Sequence, residues 1–184
     1  SVHLDLDELN MRDTPIAWGS MGSVYLGEYR GIPVAVKQFK WDNLTPEQML
    51  ELKEEVTNEC DLMAQLRNPF IATYMGSVTY LPQVSLVMQY FELGSLGEYV
   101  RFEPPDKGLL LPYALKLRIL FDTARGMSFL HENKILHLDL KPSNIVSERG
   151  VAKILDLSIA RAPGRVEAGE GTKQYMAPEQ VRGE

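Results

Sequence analysis

His137-Leu138-Asp139-Leu140-Lys141-Pro142-Ser143-Asn144 decides how the rest of this chain is read. It sets an acid, a lysine and an amide at fixed spacing just after a helix-forming segment and an Ile135-Leu136 strand, and loops held by rigid elements are where reactive groups are presented. A histidine two residues before an aspartate is ordinarily a polar turn with a buried imidazole. The full H-x-D-L-K-P-x-N string asks for far more than a turn needs. Twelve residues beyond Asn144, the short apolar run Lys153-Ile154-Leu155 ends in Asp156. A lone aspartate at a strand end is a turn former.

Working back towards the N-terminus, Ser23–Tyr29 and Val34–Phe39 are short, rich in branched and aromatic residues, and separated by Arg30-Gly31-Ile32-Pro33. They read as an antiparallel hairpin. Thr45-Pro46-Glu47-Gln48 has a capping threonine, a proline suited to the first helical position and a glutamine placed for a capping box. The helix it opens runs to about Leu66, with Met49, Leu52, Val56, Cys60 and Met63 on one stripe, and Asn68-Pro69 stops it. Ile71–Val78 and Val84–Tyr90 read as further strands.

Past a boundary near residues 89–94 the pattern turns helical. Gly94-Ser95 can open a short helix, Pro104-Pro105-Asp106-Lys107-Gly108 is a loop, and Pro112 to about Asn133 is a helix with Leu115, Ile119, Leu120, Thr123, Met127 and Leu130 facing a core. The expected class is α+β in two parts. Residues 1–91 carry an antiparallel sheet with one long helix, and residues 92–184 are mainly helical.

Composition narrows the function classes. With 184 residues and 45% hydrophobic content the chain can bury a core. No apolar run approaches the roughly 18 residues a membrane span needs, and Ser1-Val2-His3-Leu4-Asp5-Leu6-Asp7-Glu8 is acidic where a secretory signal is basic. Both points argue against membrane insertion and secretion. A single cysteine, Cys60, offers neither a disulfide framework nor a cysteine-rich zinc site, which fits a reducing, cytoplasmic setting. A formal charge of −6 gives no long-range attraction to a phosphodiester backbone, so nucleic acid is a poor partner.

The eight-residue string resembles the catalytic loop of eukaryotic-type protein kinases, with Leu138 where that family usually has arginine. The resemblance extends over nearly the whole chain and implies the bilobal kinase fold. It implies that Asp139 accepts the proton of an attacking hydroxyl, that Asn144 and Asp156 hold magnesium (Mg2+), and that Lys141 offsets charge on the transferred phosphoryl group of ATP. Lysine two places after the aspartate is the form that acts on serine or threonine of a protein substrate. Ile16-Ala17-Trp18-Gly19-Ser20-Met21-Gly22-Ser23-Val24 resembles the glycine-rich phosphate loop, with Ala17 replacing its first glycine, and Val34-Ala35-Val36-Lys37 resembles the strand whose lysine binds the α- and β-phosphates. Aligning the helix on Leu66-Arg67-Asn68-Pro69 puts Glu59 at the family's ion-paired glutamate, with Glu55 as the rival one turn earlier. Ser85–Phe91 resembles the last sheet strand and hinge: Met88 backs the adenine pocket, backbone groups of Gln89 and Phe91 bond the adenine edge, and Val24, Ala35 and Val146 join the nucleotide site. Gly171-Thr172-Lys173-Gln174-Tyr175-Met176-Ala177-Pro178-Glu179 matches the segment that closes the activation loop, and implies hydrogen bonds from Thr172 to Asp139 and Lys141. Tyr74-Met75-Gly76 and the Leu115–Leu130 helix are most similar to the tyrosine-kinase-like group.

The departures carry expectations of their own. Between Asp156 and Glu179 the only hydroxyl-bearing residues are Ser158, Thr172 and Tyr175, all in motif positions, and Leu138 removes the arginine that receives an activation-loop phosphate in many relatives. The loop is therefore expected to work without phosphorylation, with Glu167 and Glu170 supplying fixed negative charge. Asp156-Leu157-Ser158 stands where the family has D-F-G. Leu157 keeps an apolar plug stacked with Met63, Tyr74 and His137, and Ser158 restricts the backbone. The chain stops at Glu184, where family domains continue through several more helices, which leaves open whether it is a fragment of a longer domain. Ala17, Leu138 and Leu157-Ser158 leave a second reading open, a pseudokinase or nucleotide-binding scaffold without phosphotransfer.

Overall fold

The computed structural model describes residues 3–18, 22–40, 42–80, 83–100, 111–155, 169 and 171–183. They form two compact units, one of Ser1–Arg67 with Thr73–Tyr90, the other of Asn68–Ala72 with Phe91–Glu184. The α+β architecture expected from the sequence is the one found.

In the first unit β1 (Leu9–Trp18), β2 (Gly22–Tyr29), β3 (Ile32–Phe39), β4 (Tyr74–Tyr80) and β5 (Gln83–Gln89) make an antiparallel sheet in the order β1-β2-β3-β5-β4. Arg30 and Gly31, at φ 50° and 79°, close the β2–β3 hairpin in two residues, the positive-φ pair that matches the twist of its strands. Val34, Val36, Val78 and Val87 cluster with Leu4, Leu9 and Tyr29. Leu4 is tied to the sheet by its N–H to Ser77 O, 3.0 Å. α1 (Pro46–Gln65) has the full capping box, Thr45 Oγ1 accepting from Gln48 N–H and Gln48 Oε1 from Thr45 N–H. It buries Val56, Cys60 and Met63 and packs against β4, where Tyr74 Oη and Ser77 Oγ lie buried beside the Cys60 thiol with no hydrogen-bond partner among the described residues.

The second unit holds α2 (Leu96–Val100), α3 (Tyr113–Glu132), the hairpin of β6 (Ile145–Glu148) with β7 (Val151–Ile154), and α4 (Pro178–Arg182). Ile71–Thr73, expected as the start of a strand, is not part of β4. Ala72 N–H donates to Ile154 O and Ile154 N–H to Phe70 O, both at 2.9 Å, and this ladder assigns Asn68–Ala72 to the second unit. The Ile135-Leu136 strand shrinks to one bridge residue, Leu136. On α3 part of the expected core face is corrected: Leu115 and Leu120 are 38% and 64% exposed, while Thr123 and Leu130 are buried as expected and are joined by Asp122 and Gly126. β7 sets that face, because Asp122 Oδ2 accepts Ala152 N–H at 3.1 Å and Gly126 lets the helix close on Ile154 and Phe70. The Pro104–Gly108 loop lies outside the described residues.

Candidate active site

The catalytic-type loop of the second unit is organised around a buried ring. His137 is 1% exposed. Its Nδ1 accepts the Asp139 N–H at 3.1 Å, so Nε2 is the protonated nitrogen and donates to Leu155 O at 2.9 Å. Leu155 N–H in turn donates to Asn144 O at 2.8 Å. Both backbone polar groups of the residue before Asp156 are thus bonded into the loop. Asp156 itself lies outside the described residues, as do Gly19, Leu157, Ser158, Glu167 and Glu170.

The Asp139 carboxylate is oriented from three sides. Thr172 N–H donates to Oδ1 at 2.9 Å, Lys141 Nζ stands 3.2 Å from Oδ2, and Asn144 Nδ2 reaches Oδ2 at 3.5 Å while donating to the Asp139 carbonyl at 2.8 Å. Lys141 Nζ also donates to Thr172 Oγ1 at 2.6 Å. The two hydrogen bonds expected of Thr172 are therefore present. Asp139 keeps 13% of its side chain accessible and Lys141 23%, so the pair is sheltered but open to a reactant. A carboxylate with oriented oxygens and an adjacent ammonium can accept a proton and stabilise nearby negative charge.

α4 reaches the same loop from its own side. Gln180 Nε2 donates to Leu138 O at 2.6 Å. Between α3, the loop and α4 lies a cavity of about 410 Å³ whose walls include Met127, His131, Leu138, Thr172 and Gln180. Nothing in the motif string pointed to Gln180, because it acts on a backbone carbonyl.

In the first unit the expected nucleotide residues share one face of the sheet. Ala17 pairs with Val24, Val24 with Lys37 and Ala35 with Met88, and directly opposed residues point the same way. Gly22, two residues before Val24, is buried and cannot carry a side chain, since a Cβ there would strike the Gln38 carbonyl. Lys37 is half-buried with its ammonium 5.2 Å from the centre of the Phe39 ring. Glu59 is half-buried next to Cys60, and the side chain of the rival Glu55 lies outside the described residues. Gln89 N–H donates to Thr73 O and faces away from β3, while the next residue, Tyr90, donates to Pro33 O. In the second unit Phe91 packs with Ala72 and Val146, and its carbonyl accepts Gly94 N–H at 3.0 Å.

No helix among the described residues is long and apolar enough to cross a membrane. Residues 12–184 match the protein kinase domain family. The chain is 37% identical over 176 residues, 92% of its length, to the probable serine/threonine-protein kinase SIS8 of Arabidopsis thaliana. It is 33% identical over 185 residues, 97% of its length, to the dual specificity protein kinase shkB of Dictyostelium discoideum, and 33% identical over 186 residues, 96% of its length, to the serine/threonine-protein kinase STY46 of Arabidopsis thaliana. It spans 16%, 28% and 31% of the lengths of these relatives. With the match running through the hairpin, the long helix, the catalytic-type loop and α4, the chain belongs to the protein kinase domain family.

Proposed function

We propose that this chain is the catalytic part of a protein serine/threonine kinase that transfers the γ-phosphoryl group of Mg2+-bound ATP to a serine or threonine hydroxyl of a protein. The observation that carries this reading is the Asp139–Lys141–Thr172 cluster: one carboxylate oxygen held by a backbone N–H, the other beside an ammonium that is itself fixed by a hydroxyl. Asp139 takes the proton of the acceptor hydroxyl. Lys141 offsets charge on the transferred group, and Thr172 positions both. The names of the curated relatives favour the same activity, and similarity to the tyrosine-kinase-like group is part of the proposal.

Magnesium fits the residues present. Asn144 commits Nδ2 to Asp139, which leaves Oδ1 as the atom for a hard cation, and Asp156 is the second oxygen ligand in this reading. Bound magnesium would neutralise triphosphate charge. Ala17, Gly19, Gly22, Val24, Ala35, Met88 and Val146 flank the nucleotide, backbone groups of Gln89 and Phe91 meet the adenine edge, and Lys37 leaves the Phe39 ring to meet the α- and β-phosphates, oriented by Glu59. The enzyme works without activation-loop phosphorylation. Phosphatase treatment should leave its rate unchanged, and a large loss would refute that part.

The test is transfer of labelled phosphate from ATP with magnesium to a mixed protein acceptor. Asp139→Asn should lower the rate by roughly 10²–10⁴-fold, the range of general-base contributions. Equal rates for the variant and the parent sink the enzyme reading. Stabilisation by ATP without any transfer would turn the assignment to a nucleotide-binding scaffold.

A further inference from the structure

Leu138 combines two features that its side chain does not explain. It has φ 67°, in the left-handed region that a branched-chain residue rarely adopts, and its carbonyl is the target of a side chain 42 residues away. The peptide unit between Leu138 and Asp139 is bonded at both ends: the carbonyl accepts Gln180 Nε2 at 2.6 Å, and the Asp139 N–H donates to His137 Nδ1 at 3.1 Å. Turning about the Leu138 N–Cα bond to relieve the φ angle displaces the Leu138–Asp139 peptide, breaks both bonds and swings the Asp139 side chain away from Thr172.

Gly171 completes the arrangement. At φ 104° it lies against the same carbonyl, and a Cβ there would come within 2.7 Å of Leu138 O and 3.1 Å of Gln180 Nε2. The next residue, Thr172, holds Asp139 Oδ1 through its N–H. One carbonyl therefore gathers the start of the 171–180 segment, the α4 side chain and the residue that precedes the proposed base.

We propose that Gln180 is a positioning residue: by holding the Leu138 carbonyl it keeps the Leu138–Asp139 peptide in its left-handed setting and so aims the Asp139 carboxylate. The latch ties the end of the activation segment to the catalytic-type loop without a phosphate, in a chain where Leu138 carries no charge to receive one. The role rests on the kinase reading above, but the geometry it maintains is measurable without turnover.

The experiment compares the purified chain with Gln180→Ala, Gln180→Glu, Leu138→Gly and the Leu138→Gly/Gln180→Ala double variant. Gln180→Ala should lower kcat about ten- to a hundredfold, as small misplacements of reacting groups do, with KM for ATP unchanged. Gln180→Glu should be as slow at pH 8 and recover relative to the parent towards pH 5, where a protonated carboxyl regains a donor for the Leu138 carbonyl. Glycine adopts positive φ freely, so in the Leu138→Gly background the loss from Gln180→Ala should shrink severalfold. Folded Gln180 variants with kcat within twofold of the parent, or a loss equal in both backgrounds with parallel pH profiles, would overturn the proposal. If the parent itself transfers no phosphate, the kinase reading fails separately, and amide exchange decides the latch. The Asp139 and Thr172 N–H groups should exchange at least tenfold faster in Gln180→Ala than in the parent, and unchanged protection sinks it.

Discussion

The ammonium of Lys141 and the hydroxyl of Thr172 meet at 2.6 Å across 31 residues of sequence. The same lysine stands 3.2 Å from Asp139 Oδ2, and the Thr172 backbone N–H takes the other oxygen. Thr172 thus serves the cluster twice, through its side chain and its main chain. Only the first contact depends on residue type. Thr172→Ala should free Lys141 and lower kcat about ten- to a hundredfold, the equivalent of one hydrogen bond to a charged group at roughly 1.5–3 kcal/mol. Thr172→Ser should restore most of the rate, and ATP affinity, measured by calorimetry, should stay the same in both.

A second prediction concerns stability. Asp122 is buried in the face of α3 that meets β7, and its Oδ2 accepts the Ala152 N–H at 3.1 Å. Arg118 approaches its other oxygen at 3.6 Å but is 62% exposed. Removing the carboxylate strands a buried donor, a cost of about 1–3 kcal/mol, whereas an exposed ion pair contributes roughly 0–1 kcal/mol. Urea unfolding should therefore show Asp122→Ala well below the parent, Asp122→Asn between them because it keeps an acceptor, and Arg118→Ala close to the parent. Equal losses for Asp122→Ala and Arg118→Ala would mean that the ion pair, not the tie to β7, is what the aspartate provides.

These two clusters show which parts of the molecule were legible beforehand. The Asp139–Asn144 loop was readable because its chemistry needs particular side chains at fixed spacing, and the capping box of α1 because Thr45 and Gln48 act within one turn. Asp122 was not, since an acid on a helix ordinarily faces water, and only the position of β7 makes it a buried acceptor. Leu115 and Leu120 satisfied the helical period and yet stand exposed, because periodicity finds apolar residues and not what covers them. β1 escaped notice for a local reason. Pro15 and the register shifts on either side of it break the alternation of Leu9–Trp18 that would have announced a strand.

Gly126 yields a prediction in which two effects oppose each other. Alanine is the better helix former by about 1 kcal/mol. Its methyl group would lie 2.7 Å from Ile154 Cδ1 and 2.9 Å from the Phe70 carbonyl, which already accepts Ile154 N–H. The isoleucine tip can rotate; the carbonyl cannot move without loosening the Asn68–Ala72 segment from β7. Overpacking of this kind costs typically 1–3 kcal/mol, so Gly126→Ala should be destabilised by roughly 1 kcal/mol in thermal or urea unfolding. A more stable variant would show that the helix backs away from β7 at little cost.

The last prediction is a pH dependence set by α1 and β4. Burial is the main cause that lifts the Cys60 thiol above its ordinary 9.0, partly offset by the neighbouring Tyr74 and Ser77 hydroxyls, and burial likewise lifts the Tyr74 phenol far above its ordinary 10.0, with a smaller push from Cys60. A group that ionises less readily in the folded chain gives stability that is fully present below its unfolded value and is lost as pH rises towards its folded value. In the unfolded chain Cys60 releases its proton first, near pH 9, and Tyr74 follows near pH 10, so the native state loses ground steadily across pH 8–11. Cys60→Val removes the first titration without adding a polar group next to Tyr74 and Ser77. Its unfolding free energy, followed by urea titration at successive pH values, should fall less steeply than the parent's between pH 8 and 10, where Cys60 titrates ahead of Tyr74, while the fall that Tyr74 causes remains. Identical slopes over that interval would mean that the Cys60 thiolate forms as easily in the folded chain as in the unfolded one, and that the pocket against β4 admits water.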